Sequence, residues 1–221
     1  MRPSRISKTM GAANASGIAA SQSLAAAGYL TLVASPVVLD TQRRVIITSA
    51  GDDSGITWTV IGTNESGMPI KDVFAGANAA AAQSNLDFLA VSSIYGSGAT
   101  ASTVTAGTNG VGASPWKMYA DTIATPHISF DFEIVSGTPN VSIQYTQDPF
   151  LAPIPPTGAS SSVANGGPSP NPTAIDVTTM SDMTMNKQGE MNSVFHAWRV
   201  QFNSGTGSIR VTGQQAGLAS P

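Results

Sequence analysis

Apolar side chains in this sequence recur at every second position, and that period is what most narrows the folds open to it. Ile56, Trp58 and Val60 alternate with Thr57 and Thr59, and Ile128, Phe130, Phe132 and Ile134 alternate with Ser129, Asp131 and Glu133. Val141, Ile143 and Tyr145 alternate with Ser142, Gln144 and Thr146, and Trp198, Val200 and Phe202 with Arg199 and Gln201, before Ile209 and Val211 flank Arg210. Successive side chains of a strand point to opposite faces, so each run reads as a strand with one buried and one wetted face, as in antiparallel sheets. The fold expected is all-β: an antiparallel β-sandwich of about ten strands, either one large sandwich or two small ones.

Three segments share one plan, an apolar strand, a glycine-containing turn and a second alternating strand. They are VIITSAGDDSGITWTV (45–60), FEIVSGTPNVSIQY (132–145) and WRVQFNSGTGSIRVT (198–212), and all three read as β-hairpins. Shorter strands are expected at 68–75, 87–95 and 101–106. The tract ANAAAAQSN at 77–85 reads as a short helix, because alanine is frequent there and proline absent. Residues 1–26 carry few large apolar side chains and read as an extended arm, one that orders on a neighbour. Two β-rich halves follow, 27–114 and 115–221. The second contains the 149–172 segment, which holds seven of the fourteen prolines and no charge. Proline cannot donate to a ladder, so this segment reads as a long loop, and contact with a neighbouring subunit is its expected use.

Composition removes several classes of function. Ala, Ser, Thr and Gly account for 101 of 221 residues, and charged residues for only 10%. The net charge is −3, with +3 on the first 39 residues and −6 on the remainder, so no basic face for nucleic acid is expected. Cysteine is absent, which excludes disulfides and thiolate metal sites. Arg2, Arg5 and Lys8 could open a secretory signal, but Asn14, Ser16, Ser21, Gln22 and Ser23 interrupt the run that follows. No stretch approaches the ~20 apolar residues of a spanning helix. The expectation is a soluble product made in a cytoplasm, with no membrane partner.

Each constellation that could carry chemistry has a plainer reading. GDDSG at 51–55 is a turn, since a serine-protease nucleophile loop reads GDSGG and has its histidine and aspartate upstream, whereas His127 and His196 lie downstream. A zinc site would need both histidines plus carboxylates such as Asp131, with no ligand spacing to support it. Asp52, Asp53 and Glu65 lack a calcium-loop pattern and read as solvated acids. Asp131 and Glu133 share a strand face and are the best candidates for a glycosidase pair, though a wetted sheet face displays such acids anyway. Gly96 and Gly98 precede no phosphate-binding helix. Trp58 and Trp198 are in phase with the apolar faces and belong in the core, while the exposure of Trp116 is left open. Met180, Met183, Met185 and Met191 suit either an adaptable interface or a loose core edge. Sequons at Asn14, Asn64 and Asn140 are what an Asn-, Ser- and Thr-rich chain produces by chance. No catalytic, cofactor-binding or metal-ligating residue is assigned, and no small-molecule substrate is expected.

The run RRVIITSAGDDSGITWTVIGTNESGMPIKDVFAG (43–76) resembles a recurring pattern in structural proteins of tailed bacteriophages: an arginine-led strand, TSAG, an acidic turn, an alternating strand, then GT and a polar turn. FLAVSSIYGSGAT, SPWKMYAD, FEIVSGTPNVSIQYTQDPF and VFHAWRVQFNSGTGSIRVTGQQAG follow in the same order, so the resemblance covers most of 27–218. The 77–85 tract, the Pro-rich loop and the Met-rich segment depart from that plan. The resemblance implies a virion component, a capsid-decorating, neck or tail protein. The leading expectation is a symmetric homo-oligomer that binds other virion proteins through its N-terminal arm and the 149–172 loop, since sparse charge suits permanent interfaces. It implies no catalytic residues. A carbohydrate- or receptor-binding tail module, and a polysaccharide hydrolase using Asp131 and Glu133, are the rival readings.

Overall fold

The structure is a computed structural model that describes residues 2–118, 127–148, 172–193 and 195–215. In chain order its strands are β1 (Arg2–Met10), β2 (Ala19–Gln22), β3 (Gly28–Tyr29), β4 (Val37–Ser49), β5 (Thr57–Thr63), β6 (Pro69–Ala75), β7 (Ala81–Gly96) and β8 (Val104–Ala113). Then come β9 (Lys117–Met118), β10 (Ile128–Gly137), β11 (Asn140–Thr146), β12 (Ile175–Asp176), β13 (Lys187–Met191), β14 (Ala197–Ser204) and β15 (Gly207–Gln215). Neighbouring strands pair antiparallel, as β1 with β15, β10 with β15, β11 with β14, and β7 with both β4 and β5, and a single 3-10 turn, Thr178–Met180, is the only helical element among the described residues. The expected all-β antiparallel class is therefore what the chain adopts. It divides into two compact units: residues 12–111, and the described residues of 2–11 and 112–215.

In the unit formed by 12–111 the strand order is β8-β4-β7-β5-β6, with β2 against β8 and β3 against β7. Trp58, Val60, Phe74, Phe88, Val91 and Ile94 supply the centre of its core. Sixteen-residue β7 is long enough to pair with two partners, with β4 along 81–91 and with β5 along 90–96. It therefore lies between β4 and β5, and the 45–60 segment is not a hairpin. Its GDDSG connection instead pairs with the loop before β7, through an Asp52–Asn78 bridge and an Ala79 N–H donated to Gly51 O at 2.8 Å. The hairpin present here is β5–β6, closed by Asn64, whose Oδ1 accepts the N–H groups of Ser66 and Met68 while Gly67 takes φ 75°. The expected helix at 77–85 is also absent: from Ala81 the tract is strand, with Ala82 and Ser84 buried and Ala81, Gln83 and Asn85 exposed. Ser84 Oγ accepts Val45 N–H and donates to Leu86 O, each at 2.9 Å, so a side chain of this size completes the backbone bonding on that face.

The other unit is a sandwich of a four-stranded sheet, β1-β15-β10-β13, and a second sheet in which β14 lies beside β11, with β12 beyond β11 and β9 on β14. Phe130, Phe132, Trp198, Phe202, Ile209 and Val211 fill the space between, and Phe130 meets Trp198 edge-on at 5.1 Å. β10 and β11 lie in different sheets, as do β14 and β15, so neither 132–145 nor 198–212 is a hairpin. Instead 128–146 and 197–215 pair with each other along their whole length, from Ile128↔Gln215 to Thr146↔Ala197, as one two-stranded ribbon. The ribbon folds across both sheets at its middle, where Gly137 (φ 77°), Gly205 (φ 80°) and Gly207 (φ 151°) meet. Strands that change sheets need such a corner. The glycines are required because a Cβ on Gly137 would lie 2.3 Å from Thr206 O, and one on Gly205 2.3 Å from Thr138 O. Within the segment read as an N-terminal arm, β1 and β2 are covered by their own chain: β1 pairs with β15 over nine residues, and Ile6, Met10, Ile18 and Ala19 are buried.

Candidate functional site

The acids singled out in the sequence do not converge. Asp53 turns inward and accepts Ala101 N–H at 2.7 Å, whereas neighbouring Asp52 faces solvent and accepts both the hydroxyl and the amide of Ser54. Those two bonds, the hydroxyl first, hold the Asp52 carboxyl below its ordinary value of 3.8. Ser54 thus serves its own turn, and both histidines belong to the other unit. Glu65 sits in the β5–β6 connection, where its N–H is bound by Gln42 Oε1. Among the described residues no three His, Asp or Glu side chains cluster as a metal site would require.

Asp131 does line a depression, of about 480 Å³, on the outer face of the four-stranded sheet with Ser129, Gln188, Glu190, Thr212 and Gln214. Its carboxylate receives Gln188 Nε2 at 3.4 Å. Glu133, two residues along, is ion-paired and hydrogen-bonded to Arg210 on β15. One member of the candidate acid pair is thereby committed to an arginine. His127 has Nε2 3.5 Å from Glu190 Oε2 and Nδ1 against Asn192 Oδ1. Several other charges pair across or along strands: Arg43 grips Asp40, Arg44 grips Asp87, and Asp72 accepts the backbone N–H groups of Val73, Asn85 and Leu86.

The aromatics separate as the phase of their strands predicts. Trp58 and Trp198 are core residues, each 1% exposed. Trp116 is half-buried, and the Arg199 guanidinium lies 4.7 Å from its ring centre, a cation–π contact that occupies one ring face. Of the four clustered methionines, Met180, Met183 and Met191 are buried in the sandwich core and only Met185 is exposed. The 149–172 loop lies, apart from Pro172, outside the described residues.

The feature that alternation alone did not reveal is an apolar row on the outer face of the 12–111 sheet. Val73 on β6 faces Thr59 on β5, Thr59 faces Tyr95 on β7, and Tyr95 faces Tyr29 on β3. The two tyrosine rings meet edge-on at 5.1 Å. Ile61, next along β5, extends the row, and Val38 stands out on β4. Tyr29 is 65% exposed, Val73 49% and Ile61 38%. A signal for it existed: strands 57–63 and 69–75 carry apolar residues in both phases, Ile61 opposite Trp58 and Val60, and Val73 opposite Ile70 and Phe74. Val73, Tyr95, Tyr29 and Ile61 thus form a largely apolar row with Thr59 within it. Comparison with protein-family models, with curated proteins and with solved structures found no match to this chain.

Proposed function

We propose that the chain is a non-enzymatic structural component of a tailed-phage virion. In this reading it assembles as a symmetric homo-oligomer, contacts other capsid, neck or tail proteins in a decoration, cement or connector role, and reaches the virion from the bacterial host cytoplasm. The observation that carries the assembly part is the Val73–Thr59–Tyr95–Tyr29 row with Ile61 beside it, an apolar strip across four strands on the face turned away from the core. The ordered motifs between 27 and 218 that resemble tailed-phage structural proteins supply the virion part. The pairing of Glu133, Asp87, Asp40 and Asp72 within the fold is consistent with acids used to hold strands.

Two measurements test this. Mass spectrometry of particles purified from the source lysate should find the chain, and its absence from them would refute the virion role. Sedimentation of the purified protein should show a discrete oligomer that Tyr29→Ser with Val73→Ser dissociates by tenfold or more; a parent that is monomeric throughout would refute assembly. A second reading, a carbohydrate- or receptor-binding module of a phage tail, draws on the exposed Tyr29 ring, which has the shape for sugar stacking. Glycan-array binding abolished by Tyr29→Ala would favour it over the structural role.

A further inference from the structure

We infer that β1 is an exchangeable strand: in the assembled protein, β1 of one copy occupies the β15 edge of a second copy. The inference rests on the assembly reading above and specifies how copies would be joined.

Three features of β1 support it. First, β1 is an edge strand whose ladder partner among the described residues is β15, over nine residues from Arg2↔Gln215 to Met10↔Gly207. No turn joins the two strands; Thr9 and Ser208, whose hydroxyls bond at 2.8 Å, are 199 positions apart. Second, its hold is concentrated. Ile6 and Met10 are its buried apolar anchors, while Pro3, Arg5, Ser7 and Thr9 face outward and are exposed. Third, β1 is counted with one unit and its continuation with the other, the division falling between Gly11 and Ala12. Asn14 is fastened to β8, its O accepting Thr108 N–H at 2.9 Å and its N–H reaching Thr108 Oγ1 at 3.4 Å. The backbone at 14–15 runs so close to Gly107 that a Cβ there would lie 2.0 Å from Asn14 O. Three exposed residues, Gly11, Ala12 and Ala13, lie between Met10 and Asn14.

An exchanged β1 would make the same ladder and bury the same two anchors as a closed one, because the acceptor edge is chemically identical in every copy. Strand exchange is for that reason a low-cost route to oligomers. The balance is then set by protein concentration and by whatever further surface the neighbours bury. The connector also sets the geometry: from Met10 to Asn14 it reaches at most about 14 Å. A donor's Asn14 must therefore stand within that distance of the Met10 position on the acceptor, so exchange requires copies in direct contact.

The absence of cysteine makes the test clean. Thr9→Cys and Ser208→Cys single variants of the full chain are co-expressed, oxidised with copper phenanthroline at assembling concentration, and run on non-reducing denaturing gels, with sedimentation recorded in parallel. Exchange predicts an oligomer and a disulfide heterodimer containing about half of the Thr9→Cys chains, the statistical limit for equal mixing in a symmetric assembly. An oligomer without the heterodimer, together with a double variant whose disulfide closes within one chain, overturns exchange and leaves assembly standing. A monomer that closes within one chain overturns both. If the first pair impairs folding, Arg5→Cys with Thr212→Cys, which face each other four rungs away, is used in the same way.

Discussion

Substituting Gly205 by alanine tests the claim that 128–146 and 197–215 form one bent ribbon. Gly205 has φ 80°, where an L-side chain costs about 1–2 kcal/mol. Its new Cβ would also stand 2.3 Å from the carbonyl oxygen of Thr138, a backbone atom that can yield only by opening the corner. Forcing a methyl into packed surroundings costs about 1–3 kcal/mol, so a total near 3 kcal/mol is expected. For a chain of this size that lowers Tm by roughly 6–12 °C. Gly55→Ala is the control, because a Cβ there meets nothing within 4 Å, and its change should stay within about 0.5 kcal/mol. The second readout is hydrogen exchange at the Thr138 amide, which donates to Thr206 O at 2.9 Å. In the bent ribbon Gly205→Ala accelerates exchange at Thr138 by more than the general increase seen at Val200, whose N–H is bound by buried Ser114 Oγ. Two separate hairpins would leave Thr138 indifferent to a methyl sixty-seven positions away. Unaltered melting, or lowered melting with Thr138 following Val200, would refute the corner.

Two further substitutions probe the roles given to acids. Asp72→Asn should lower the urea midpoint, by about 1.5–3 kcal/mol in stability with m unchanged, because an amide offers a single acceptor oxygen where the buried carboxylate accepts three backbone N–H groups; an unchanged midpoint would mean that those bonds do not hold β6 to β7. Ser54→Ala should return the Asp52 carboxyl upward toward 3.8 in a carboxyl NMR titration, since the Ser54 hydroxyl is the larger cause of its depression. The sign follows from linkage: a carboxyl lowered in the folded state favours folding above its unfolded value of 3.8, and that contribution is lost as pH falls through the lower folded value. The acid end of the stability profile should flatten in Ser54→Ala, and an unmoved titration would sink the assignment.

What could be read from the sequence was whatever depends on near neighbours. Alternation names the buried face correctly at Trp58 and Val60, at Phe130 and Phe132, and at Trp198, Val200 and Phe202, because side-chain direction along a strand is a local property. Partner choice is not local. The segments around Gly137 and Gly205 have the composition of tight turns, and a glycine at positive φ serves a hairpin and a sheet-changing corner equally well; burial of Phe132 and Val211 against Val141 and Phe202 is satisfied by the corner. The alanine tract fails for a related reason. Nine residues are too few to sustain a helix on propensity alone, so ladder bonds to Ile46, Ile47 and Thr48 and the buried Ser84 hydroxyl decide its state.

The outward apolar row shows how the two kinds of information combine. Apolar residues in both phases of 57–63 and 69–75 mark strands with apolar side chains on both faces, which the sequence displays without showing how the outward ones line up. Register then supplies what pattern could not: it sets Val73, Thr59, Tyr95 and Tyr29 side by side, although they come from four strands spread over 67 positions of chain, 29 to 95. Scattered apolar residues on a surface are ordinary, but a contiguous row built from four strands has to be dismantled at several positions to be removed. Single substitutions such as Ile61→Ser should therefore weaken association less than the paired Tyr29→Ser and Val73→Ser change, which takes away both ends of the row at once; equal effects from the single and the pair would mean that the row does not act as one surface.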